Sequence, residues 1–73
     1  MYVYTLVIDP QDKDSYISNI YPYCSAARLC ITQEVQGYEE EGCKVTVYLD
    51  ELTPEGRKTL REVYPVMQPT YEW

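Results

Sequence analysis

Asp9, Asp12 and Asp14, with Ser15 beside them, are the first side chains along the chain whose spacing suits a hard cation. A calcium loop starting at Asp12 would need glycine where Ile17 stands and a bidentate glutamate where Tyr23 stands, which excludes an EF-hand. Asp9, closing an aliphatic and aromatic run, is a candidate carboxylate of a divalent-metal site completed by a second subunit; its plainer role is a helix cap. Cys24, Cys30 and Cys43 lack the close pairs of a zinc site, and the chain has no histidine to complete one. Without histidine neither a cysteine nor a serine gains the usual base, so Cys30 and Cys43 are expected to be small buried hydrophobes. Gly37, Gly42 and Gly56 do not form a phosphate cradle. The expectation is a protein that is not an enzyme, with no catalytic residue, cofactor or metal.

Twelve acidic residues against six basic ones, for a net charge of -6 and a pI near 4.3, exclude a general phosphate-binding surface. Direct nucleic-acid binding is therefore not expected. From Arg28 to Leu52 six acids (Glu34, Glu39, Glu40, Glu41, Asp50, Glu51) face only Arg28 and Lys44, a local balance of -4. Arg57, Lys58 and Arg61 form a small positive cluster. Nine tyrosines and no phenylalanine point to rings with one wet end, the pattern enriched at protein interfaces. No apolar run reaches a bilayer-spanning length and no signal peptide is evident, which fits a cytoplasmic chain with reduced thiols.

The elements that must position these groups follow from pattern. Tyr2 to Ile8 reads as a strand with two largely apolar faces, suited to the middle of a sheet, ending at Asp9-Pro10. Tyr16, Ile17, Ile20, Tyr21 and Cys24 recur at helical spacing behind Asp9 or Asp12 as cap, with Pro22 closing the segment. Leu29 to Gln36 and Cys43 to Leu49 alternate as two half-exposed strands, joined as a hairpin through Gly37 to Gly42. Thr53-Pro54-Glu55 reads as an N-cap with proline at the first helical position, leading a stripe of Leu60, Val63, Tyr64 and Met67. Residues 65–73 read as an extended tail. The order β-α-β-β-α implies a single α+β domain over residues 1–73, a small ferredoxin-like sheet with two helices on one face and a short C-terminal edge strand as an option.

On this frame the carboxylates Glu34, Glu39, Glu40, Glu41, Asp50 and Glu51, with Tyr38, Tyr48, Tyr71 and Trp73 as aromatic anchors, form a candidate surface for a basic protein. Occluding a basic surface of a nucleic-acid-handling protein is the leading functional expectation. In size, charge and composition, though in no motif, the chain is similar to compact virus-encoded inhibitors of host defence such as anti-CRISPR and DNA-mimic proteins, for which the host cytoplasm would be the location. Two alternatives stand beside it. One is a metal-dependent nuclease of ferredoxin-like fold, on an Asp9-terminated first strand resembling that of CRISPR-associated spacer-acquisition nucleases. The other is a homodimeric structural or regulatory domain pairing through Tyr2, Tyr4 and Tyr48.

Overall fold

A computed structural model of the protein describes residues 1–65. Its elements run β1 (Tyr2–Asp9), β2 (Tyr16–Pro22), α1 (Ser25–Glu40), β3 (Lys44–Thr53) and β4 (Gly56–Tyr64). The strands form one antiparallel sheet in the order β2-β1-β3-β4. Strands β2 and β3 flank β1 and point the same way, so α1 is the crossover that returns the chain across one sheet face. The ferredoxin-like expectation is thereby corrected: among the described residues there is one helix, and the two segments expected to be helical are both strands.

Bulges give both strands their helix-like spacing. In β2, Ser18 is an extra residue opposite the Leu6/Val7 step, so Ile17 pairs with Val7 and Ile20 with Thr5 on the same face. An i, i+3 spacing that reads as helical is here a strand shifted by one. In β4 the same happens twice: Leu60 and Val63 are the extra residues at the Leu49/Asp50 and Val47/Tyr48 steps. Both side chains fall on the helix-facing side, Val63 in the core and Leu60 beside Leu49.

The other interchange concerns α1. Alternation across Leu29 to Gln36 suggests a strand, but the buried residues are Ala27, Ile31 and Val35, a four-residue repeat, whereas Leu29 is 71% exposed. The helix has no side-chain cap at Cys24, no acid in its first turn and no base in its last. Packing of one narrow stripe must therefore hold it, because local signals do not. Gly37, assigned by pattern to a turn, lies inside this helix. Gly42 does turn the chain: at φ 84 it ends α1, its N–H donating to the Glu39 carbonyl (3.0 Å) and that of Cys43 to the Tyr38 carbonyl (3.0 Å). This is a Schellman closure.

Thr53-Pro54-Glu55 does not start a helix. Proline's fixed φ serves the second position of a tight turn as well as it serves a first helical turn. Gly56, at φ 139, decides for the turn; Thr53 pairs with it across the hairpin and donates its hydroxyl to the Gly56 carbonyl at 3.0 Å.

The core lies between α1 and one sheet face. Tyr4, Leu6 and Ile8 of β1, Val45, Val47 and Leu49 of β3 and Val63 of β4 meet Ala27, Ile31 and Val35. Strand β1 takes the central position its sequence suggests, with partners on both sides. The opposite face carries Val3, Thr5 and Val7 flanked by β2 and β3 and, among the described residues, has no helix over it. Among the described residues no helix is long and apolar enough to cross a membrane.

Candidate functional site

Strand direction puts two polar connections at the same end of the molecule: residues 10–15, leaving β1, and residues 41–43, leaving α1. Gln11 ties them together, its side-chain amide donating to the Gly42 carbonyl at 3.3 Å. Asp9 at the end of β1, Asp12 and Asp14 in the first connection, Glu39 and Glu40 in the last turn of α1 and Glu41 in the second connection are all exposed here. Six carboxylates against Lys13 and Lys44 leave this pole at -4, most of the net charge of the chain. A helix carries about half a negative charge at its C-terminal end, so three glutamates in that position oppose the dipole where lysine or arginine would have complemented it.

The helix face turned toward β2 carries a groove of about 430 Å³ lined by Glu34, Gly37, Tyr38 and Glu41. Spacings of three and four place these residues along one side of α1. At the β2 side, Asn19 Nδ2 donates to Glu34 Oε1 (3.4 Å) and to the Tyr21 hydroxyl (3.3 Å). Glu34 Oε2 is enclosed on this side, where the Tyr21 hydroxyl lies close. The Tyr21 phenol is pushed up, first by burial and then by the Glu34 charge. Tyr16 is raised in the same sense, by burial and then by the neighbouring Tyr38 hydroxyl. Around the corner of the helix, the Tyr64 hydroxyl donates to Glu39 Oε2 and is pushed up to about 12, chiefly by that hydrogen bond and secondarily by burial.

Of the residues expected to form the surface, Glu34, Tyr38, Glu39 and Glu40 on α1 and Glu41 at its C-cap are therefore together, where a strand and a hairpin tip were expected. Three others lie elsewhere. Tyr48 is half-buried on the helix-free sheet face, paired with Thr5. Asp50 is only 2% exposed on that face, accepting from Thr5 Oγ1 at 2.7 Å and lying 3.5 Å from Arg57 Nε; its Oδ1 has no hydrogen-bond partner among the described residues. Glu51 is seven residues down β3 from Lys44, more than 20 Å from the pole at about 3.3 Å per residue. Tyr71 and Trp73, with the rest of the expected tail at 66–73, lie outside the described residues.

Other expectations change with the fold. Asp9 caps no helix; it pairs with Lys44 across β1 and β3, and Asp12 lies in the connection before β2. Among the described residues no three Asp, Glu or Cys side chains are grouped as metal ligands. The cysteines are free: Cys30 is exposed on α1 instead of buried in a strand, and Cys43 is half-buried against the core. Tyr2 and Tyr4 are not on the helix-free face, since both turn toward the α1 side.

There they join a cluster at the opposite pole that pattern did not reveal. The Tyr23 ring lies 5.3 Å from Tyr4 and 6.2 Å from Tyr2, and Arg28 stacks 5.7 Å above it while donating from Nε to the Tyr4 hydroxyl at 3.2 Å. Burial raises the Tyr4 phenol and Arg28 opposes the rise. A smaller groove, about 260 Å³, opens beside it among Tyr2, Tyr23, Leu49, Leu60 and Arg61. Only β1, β2 and α1 brought together in space could show this.

Comparison with protein-family models, with curated proteins and with solved structures finds no match, so the chemistry of these side chains alone carries the functional reading.

Proposed function

We propose that the protein is a small binding module whose acidic pole docks on, and occludes, a basic surface of a nucleic-acid-handling protein. The observation that carries this reading is the placement of Glu39, Glu40 and Glu41 at the negative end of α1, next to Asp9, Asp12 and Asp14. Such a concentration of one sign weakens the fold locally, and features that break a local rule mark the places where something other than stability is selected. A cationic partner would relieve the repulsion on binding. Fields of this kind mainly raise association rate and select partners. Tyr38 and the groove beside it supply the aromatic contact that charge alone does not. In this respect the module would work as compact virus-encoded inhibitors of host defence do.

The test is capture from the native cell by the immobilised protein, repeated at rising salt, with excess nucleic acid, and with Glu40→Lys/Glu41→Lys. The expected capture is of a basic nucleic-acid-binding protein, displaced by DNA or RNA and lost as salt rises. Capture indifferent to salt and to the charge reversal would overturn the reading.

Self-association through the helix-free sheet face is a second reading, favoured by Ile17, Ile20 and Leu52, which are 44%, 49% and 39% exposed there. Sedimentation of the isolated protein separates the two, since the first expects a monomer until the cationic partner is added.

A further inference from the structure

We infer that the groove between Glu34 and Glu41 on α1 receives one arginine side chain of the partner, an inference that rests on the docking reading above and names its chemistry. Gly37 is the first reason. It lies inside a regular helix with no positive φ, where glycine has no conformational task and weakens the helix relative to alanine. A Cβ built there would meet nothing within 4 Å, so no neighbour forbids a side chain. What the missing side chain leaves is the open floor of the groove.

The walls are the second reason. Glu34 and Glu41 stand seven residues, or about 10 Å, apart along the axis, with Tyr38 between them. That distance leaves room for a planar guanidinium to lie against the tyrosine ring and give N–H groups to a carboxylate at either end. Glu34 is half-buried and its Oε1 accepts from Asn19 Nδ2 at 3.4 Å, so its carboxylate is held in place at one end of the groove. Lysine would fit less well, because a compact ammonium neither stacks nor bridges two acceptors in one plane. The exposed carboxylates Glu40, Asp12 and Asp14 lie on the surrounding pole; they attract the cation without shaping a site for it.

The experiment titrates the 15N-labelled protein with N-acetyl-arginine methylamide, with the norleucine analogue as control, in wild type, Gly37→Leu and Glu41→Gln. The expected result is saturable shifts centred on Glu34, Gly37, Tyr38 and Glu41 with the arginine probe alone, and a loss of affinity of about tenfold or more in Gly37→Leu. The leucine variant keeps the helix, and its melting temperature should not fall. Shifts spread evenly over the acidic pole, or affinity unchanged in both variants, would overturn the groove assignment. A nona-arginine peptide keeps the two ideas apart. If it binds wild type and Gly37→Leu equally but not Glu40→Lys/Glu41→Lys, the docking pole stands and the groove does not; if it binds none of them, both fall.

Discussion

The buried charge at Asp50 shows how much a single hydroxyl carries. With the carboxylate 2% exposed and Arg57 itself partly in solvent, the Thr5 hydroxyl is its short-range donor at 2.7 Å. Thr5→Val keeps shape and strand propensity while removing that donor. Leaving a charged acceptor less satisfied in the interior costs about 1.5–3 kcal/mol, so chemical denaturation should show a loss of that order, and Thr5→Ser should recover most of it. An unchanged midpoint in Thr5→Val would mean that the Thr5 hydroxyl gives Asp50 no net stabilisation. The Tyr64 phenol gives a second residue-scale outcome. Its pKa is pushed up to about 12 from an ordinary value of 10.0, so the folded state favours the protonated phenol. Stability from this group is complete below pH 10 and disappears as pH rises through about 12. Ultraviolet titration of the phenols should lose its most alkaline component in Tyr64→Phe, and that variant should lose less stability than wild type between those pH values.

At the scale of elements, the outcome depends on whether hydrophobic spacing keeps its period. Strands β1 and β3 were legible from Tyr2 to Ile8 and Cys43 to Leu49 because neither carries an extra residue where they pair with each other; eight successive pairs keep register. Strands β2 and β4 were not legible, since Ser18, Leu60 and Val63 insert where they do and turn a two-residue period into a three-residue one. Helix α1 was hidden for the converse reason. Its buried stripe is only Ala27, Ile31 and Val35, while Leu29, exposed, joins Ile31 and Val35 in an apparent alternation. The acidic run from Glu39 to Glu41 was readable from charge alone; its addition to Asp9, Asp12 and Asp14 required the topology. The helix assignment has a direct consequence. Ile31→Ala should cost about 2–5 kcal/mol, enough to unfold much of so small a domain, whereas Leu29→Ala should stay within about 0.5 kcal/mol. Equal costs in thermal melts would instead fit a strand in which residues 29 and 31 share a face.

For the molecule as a whole, stability and recognition pull on the same charges in opposite directions. The pole bearing residues 9–15 and 39–44 is acidic, while Arg28, Arg57, Lys58 and Arg61 lie along the other half of the chain's length in space. Glu40 is exposed in the last helical turn and none of its contacts is needed by the core. Replacing it by lysine complements the helix dipole and dilutes the repulsion from Glu39 and Glu41, so the isolated protein should gain about 0.3–1 kcal/mol at low salt, with the gain shrinking as salt is added. The same substitution should weaken capture of a cationic partner and flatten its salt dependence, because one attracting charge has become a repelling one. Opposite signs in the two measurements are what a site kept at the expense of stability predicts. If Glu40→Lys stabilises the fold and leaves partner capture intact, the acidic pole serves only to keep copies of the chain apart, and recognition must lie on another face.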